Sequence, residues 1–189
     1  MTGGIRLEKL TTQLLIPAVD LLSGDTVCFT NLKPDGKALS GKTGAAGADP
    51  QIRWVNTGQV GEIMMASSSV PGVFRPVEMA PYLLVDGGVT NNLPVDLMRA
   101  AGISRIVAVD IGSDYEMPEH DCVFEILSHS FSIMSSSLKD CRSMGECLLL
   151  RPELTKKAGL LTFEYMEDCM EAAYRYTREN APRIRKELC

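Results

Sequence analysis

The run Tyr82-Leu-Leu-Val-Asp-Gly-Gly88 decides how this chain is read: a short apolar strand ends in a carboxylate and a two-glycine turn. Paired glycines let the backbone turn sharply and approach a neighbouring segment closely. Downstream, Pro94 to Ala101 has proline in its first turn and Gly102 just past its end, the asymmetry of a helix. Arg105-Ile-Val-Ala-Val-Asp110 follows as a near-continuous apolar run, the pattern of a parallel strand buried on both faces. Strand, helix and strand within about thirty residues make a βαβ unit. The expectation is therefore an α/β fold. In open α/β sheets ligands collect at the carboxyl ends of the strands, where both Asp86 and Asp110 fall. Asp-Gly-Gly is also a common turn sequence, so the aspartate alone carries no function. Asp110 reads as structural; Asp86, with its glycines, is the candidate.

Working outward, Leu14-Leu-Ile-Pro-Ala-Val-Asp20 and Thr26-Val-Cys-Phe-Thr30 read as strands joined by Ser23-Gly24-Asp25, a good hairpin turn. Lys33 to Pro50 is rich in Gly, Pro and small residues and reads as a loop. Gln59 to Ser68 can form a helix, stopped before Pro71 because a residue preceding proline is pushed out of the helical region. Phe124, Leu127, Phe131, Met134 and Leu138 recur at three and four residues and give one apolar helix face. Cys147-Leu-Leu-Leu-Arg151 reads as a last strand. Phe163, Met166, Met170, Ala173 and Thr177 line a closing helix. Its acidic residues come first (Glu164, Glu167, Asp168, Glu171) and its basic ones later (Arg175, Arg178), which suits the helix dipole. Both apolar faces are read as core.

The chain has 189 residues, 45% hydrophobic and 23% charged, which suits one soluble globular domain spanning residues 1–189. A net charge of −5 argues against a nucleic-acid groove, which needs clustered Lys and Arg to offset phosphate. No apolar run approaches the roughly 18 residues of a membrane span. Met1-Thr-Gly-Gly-Ile-Arg6 has no apolar stretch of the kind that opens a secretory signal, so a cytoplasmic setting is expected. The six cysteines are irregularly spaced without a CxxC pair, which favours free thiols. His120, Cys122, His129, Cys141 and Cys147 share one stretch, yet no pair has zinc-finger spacing.

Three longer stretches add specificity. Ala66-Ser-Ser-Ser-Val-Pro-Gly-Val-Phe-Arg-Pro-Val77, Leu84-Val-Asp-Gly-Gly-Val-Thr-Asn-Asn-Leu-Pro-Val95 and Val107-Ala-Val-Asp-Ile-Gly112 resemble, in order and spacing, the bacterial-type patatin-like phospholipases. The likeness extends more weakly to Ile16–Phe29 and to Leu148-Leu-Leu-Arg-Pro-Glu153, and so covers about Leu7 to Arg185. It implies a three-layer α/β/α fold with a mostly parallel sheet, incomplete at its N-terminal side, and a Ser–Asp dyad. The aspartate maps onto Asp86, with Gly87 and Gly88 as its motif turn; Ser67, Ser68, Pro71 and Asn91 would line the pocket. No cofactor is implied, and the substrate would be a lipid or other acyl ester. The protein could then lie peripherally at membranes. A dyad needs no histidine, and neither His120 nor His129 lies near these motifs. The chemistry is coherent, because a serine hydroxyl needs an adjacent base to become nucleophilic. An aspartate with an ordinary pKa of about 3.9 is feeble in that role unless burial raises it.

The departure from the family is equally clear. No serine sits in Gly-x-Ser-x-Gly; Gly102-Ile-Ser104-Arg-Ile106 comes nearest and fails at its last position. Ser104 also opens a strand, whereas the elbow belongs on a strand-to-helix turn. The nucleophile is expected from a segment before Met1, with which this chain would associate. The alternative is an inactive fragment that binds a partner. A third reading rests on Gly36-Lys-Ala-Leu-Ser-Gly41-Lys42-Thr43, which satisfies the P-loop pattern for nucleotide phosphates. That loop needs a strand running into its first glycine and a helix beginning at Lys-Thr. Asn31-Leu-Lys-Pro-Asp35 and Gly44-Ala-Ala-Gly-Ala-Asp-Pro50 supply neither. The loop reads as surface.

Overall fold

A computed structural model describes residues 4–32, 52–112, 123–142, 148–154 and 163–188. The P-loop-like stretch, together with His120, Cys122 and Cys147, lies outside the described residues. Five strands form one sheet in the order β3-β2-β1-β5-β4. They are β1 (Leu15–Asp20), β2 (Thr26–Thr30), β3 (Ile52–Val55), β4 (Val77–Met79) and β5 (Tyr82–Asp86). Strands β6 (Val107–Val109) and β7 (Leu148–Leu150) make a separate parallel pair. The helices are α1 (Val60–Ser67), α2 (Val95–Ala100), α3 (Val123–Arg142), α4 (Met166–Glu179) and α5 (Ala181–Leu188).

The α/β class is as expected, and the hairpin falls where the turn residues put it, with Gly24 at φ +77 between β1 and β2. The main sheet, however, is mixed rather than mostly parallel. Only β2 and β3 run parallel; β1–β2, β1–β5 and β4–β5 are antiparallel. Short connections are the cause for β1–β2 and β4–β5. Antiparallel strands can be joined by a tight turn, whereas parallel ones need a long crossover. Residues 21–25 and the Ala80-Pro81 pair are too short for any other arrangement. The expected βαβ unit is altered for the same reason. With β1 on one side of β5 and β4 on the other, β6 has no place beside β5 and pairs with β7 instead. Nor is β6 covered on both faces: Ala108 is buried while Val109 is 53% exposed.

Residues opposed across a sheet point to the same face. Ala18 opposes both Val27 and Asp86, and Asp20 opposes Leu84, so these side chains share one face. Helix α1 covers it, bringing Val60, Ile63 and Ala66 against Ala18, Val27, Phe29, Leu84 and Leu7 in one buried cluster. A smaller cluster joins Val95 of α2 to Ile106 and Ala108. Gly102 ends α2 at φ +87, the left-handed residue expected past a helix C-terminus.

Among the described residues, the apolar faces of the two long helices lie largely outside the core. On α3, Leu127 and Met134 are each 63% exposed. On α4 the half-buried residues are Cys169, Ala172, Ala173 and Tyr176, and Met166 and Met170 face solvent. Periodicity shows that a helix has an apolar stripe; it does not show what the stripe meets.

Candidate active site

Asp86 is the last residue of β5 and caps the single 3₁₀ turn Gly87–Val89. Its backbone N–H donates to the carbonyl of Ser69 at 3.0 Å, which fastens the strand end to the turn following α1. Its Oδ1 accepts from the Gly88 N–H at 2.6 Å. Oδ2 has no partner among the described residues. Burial pushes the Asp86 carboxyl above its ordinary value, and the Gly88 hydrogen bond only partly opposes this. One oxygen is thus fixed while the other is left to take a proton, in a setting that makes the carboxylate a better base.

Gly87 has a specific reason to lack a side chain. A Cβ there would lie 2.7 Å from the Pro17 carbonyl oxygen on β1. The close approach expected of the glycine pair is therefore to the neighbouring strand. At Gly88 a Cβ would crowd Asp86 Oδ1 itself, at 3.0 Å.

Ser67 is half-buried at the end of α1, Ser68 follows exposed as its C-cap, and Pro71 is half-buried in the next turn. Ser69 is buried, and its hydroxyl donates to the Met65 carbonyl at 2.7 Å. Only through the Ser69 carbonyl does this stretch bond to Asp86. Asn91 is 3% exposed. Its N–H donates to the Gly87 carbonyl and its side-chain amide donates to Asp96 Oδ1 at the start of α2, so it ties the Asp86 turn to that helix. The Oδ1 of its side-chain amide is buried with no partner among the described residues.

One contributor carries no motif that sequence reasoning could have used. Ser135, buried on α3, donates to the Gly88 carbonyl at 2.8 Å. Serine is frequent on α3 and nothing marks this one except its place in the fold. Asp110, read from the sequence as structural, accepts from Arg151 Nε at 3.1 Å and from the Gly112 N–H at 3.0 Å. Cys28 is fully buried on β2. Desolvation, helped by the nearby Asp96 charge, pushes its thiol up to about 12. Among the described residues no group of His, Cys, Asp and Glu is placed to hold a metal, and no helix is long and apolar enough to cross a membrane. A groove of about 490 Å³ beside α1 is walled by Phe29, Met65, Met79 and Tyr82. Tyr82 and Asp86 lie on the same face of β5, about 13 Å apart along the strand.

The fold is α/β, with a half-buried carboxylate capping the turn at a strand end. Residues 38–99 match the family model of patatin-like phospholipases. An uncharacterised NTE-family protein of Mycobacterium bovis is 26% identical over 143 residues, covering 61% of this chain and 24% of that protein. The lysophospholipase NTE1 of Candida albicans is 39% identical over 56 residues, and that of Saccharomyces cerevisiae 50% over 48. Those stretches cover 30% and 25% of this chain, and 4% and 3% of the yeast proteins. The chain thus spans a quarter or less of the length of these relatives. Over residues 38–99 it is similar to a portion of the patatin-like phospholipase domain, and over part of its length to NTE-family proteins.

Proposed function

We propose that this chain supplies the base of a lipid acyl hydrolase of the Ser–Asp type, with a phospholipid or lysophospholipid as substrate. The family is one of lipid hydrolases, and the observation that carries the reading is the half-satisfied, partly buried Asp86 carboxylate. As the serine Oγ attacks the ester carbonyl, its proton passes to Asp86 Oδ2. The tetrahedral intermediate then collapses, and Asp86 returns the proton to the departing alcohol. Water repeats both steps on the acyl-enzyme and releases the fatty acid. Gly88 holds Oδ1 throughout, so the proton has one place to go. The groove beside α1 offers Phe29, Met65, Met79 and Tyr82 to an acyl chain, with Glu62 and Glu78 also on its walls.

The sequence contains no Gly-x-Ser-x-Gly elbow, so the nucleophile in this reading comes from polypeptide outside the 189 residues, joined to them in one catalytic domain. The setting we propose is cytoplasmic, with peripheral contact to lipid. The missing elbow equally favours a second reading, a catalytically inactive chain that binds a partner. Fluorophosphonate labelling separates them. The isolated chain should give no stoichiometric serine adduct under either. Supplied with an elbow segment, it should gain labelling and ester hydrolysis, and Asp86→Asn should lower hydrolysis by about 10²–10⁴-fold. Labelling of the isolated chain, or hydrolysis indifferent to Asp86→Asn, would sink the dyad; no gain of activity would leave the inactive partner-binding chain.

The same variant makes a stability prediction. The folded-state pKa of Asp86 is raised, so this group's contribution is fully present below its unfolded pKa and is lost as pH rises through the folded value. Asp86→Asn keeps an acceptor for the Gly88 N–H and removes the buried charge. It should melt higher than wild type at neutral pH, with the difference vanishing toward pH 4 in thermal melts.

A further inference from the structure

Helix α4 presents a ridge to solvent that the site does not use. Met166, Met170 and Tyr174, four residues apart, are 55%, 69% and 64% exposed. The guanidinium of Arg178 continues the line, 5.8 Å from the Tyr174 ring centroid. Beside the ridge runs a groove of about 500 Å³ lined by Glu171, Tyr174, Arg175, Arg178 and Glu179. The helix dipole accounts for acids early in α4 and bases late. It does not account for large apolar side chains kept in water on three successive turns.

We propose that this ridge is an isologous interface for a second copy of the chain, with the two α4 helices packed antiparallel. The charge order makes the surface complementary to itself. In an antiparallel pair centred between Met170 and Tyr174, Met170 lies against the partner's Tyr174, a sulfur–aromatic contact. Glu167 then falls within about one residue's rise of the partner's Arg178, and the acidic half of each helix faces the basic half of the other. A parallel pair would set like charges together. Three apolar side chains per copy are fewer than a standard interface supplies, so the dimer dissociates in the range of about 10–100 µM.

Sedimentation of the 189-residue chain across that range tests this. Its weight-average mass should climb from monomer toward dimer. Met170→Glu should weaken association about 10-fold or more with the circular dichroism unchanged, because the residue is exposed. Glu167→Arg should weaken it by setting Arg against the partner's Arg178, and adding Arg178→Glu in the same chain should restore it. A chain that stays monomeric at about 500 µM overturns the proposal. So does a dimer indifferent to Met170→Glu, or a monomer that floats with phosphatidylserine–phosphatidylcholine vesicles only while Met170 is intact, which would assign the ridge to a lipid surface.

Discussion

Gly87→Ala should destabilise the fold by about 3 kcal/mol, the upper part of the range for overpacking. The added methyl meets the Pro17 carbonyl oxygen at 2.7 Å and its carbon at 3.1 Å. Backbone atoms in the middle of a paired strand cannot swing aside as a flexible side chain would, so β1 and the end of β5 must separate. That displaces Asp86, because Ala18 of β1 is its register partner. Urea denaturation would show a lower midpoint with little change in slope, and in an elbow-complemented protein hydrolysis would fall with it. Gly88→Ala is the control. Its methyl presses a carboxylate oxygen, so it should cost less stability and disturb Asp86 more selectively. Equal midpoints for wild type and Gly87→Ala would show that the strand contact is not as tight as the structure places it.

Asp20→Ala should cost about 2–3 kcal/mol for a different reason. Asp20 is 4% exposed, and its carboxylate gathers three donors: Leu83 N–H at 3.0 Å, Ser23 Oγ at 2.7 Å and Leu22 N–H at 3.3 Å. It thereby pins the β1–β2 turn to β5. Alanine leaves a part-buried backbone donor without its acceptor, the expensive way to lose a hydrogen bond. Burial alone would raise this carboxyl, but the donors outweigh it and hold the group below its ordinary value. The contribution is therefore present above the unfolded pKa and is lost as pH falls through the folded one, the opposite sense to Asp86. Denaturation from pH 7 to pH 3 should show the wild-type advantage over Asp20→Ala shrinking at the acid end. An advantage constant over that range would remove the carboxylate's charge from the explanation.

The parts of the fold that were legible in the sequence are those with local causes. Ser23-Gly24-Asp25 makes a hairpin by its own turn chemistry, and Pro94 with Gly102 brackets α2 without help from the rest of the chain. The place of Asp86 at a strand end before a turn was legible because its two glycines follow it directly. Strands β3 and β4 went unread. Ile52-Arg-Trp-Val55 and Val77-Glu-Met79 are too short to show alternation, and they are strands because β2 and β5 offer edges to pair with. The mixed character of the sheet has the same origin, since pairing depends on which edges are already taken. Helix α5 was missed because an Arg- and Lys-rich stretch gives no apolar period. In the site, the Asn91–Asp96 and Ser135–Gly88 bonds were illegible: each joins residues whose proximity only the assembled fold creates.

That β5 is flanked by β1 and β4 has a consequence for how a working enzyme could be put together. A strand with both edges filled has no ladder left to extend, so the segment bringing a hydroxyl to Asp86 need not be threaded into the sheet beside it. It can arrive across the strand ends, after the hairpins have closed, and leave again without disturbing their register. Under the proposed reading, the base half of the site is thus a socket that is complete before the segment carrying the serine arrives.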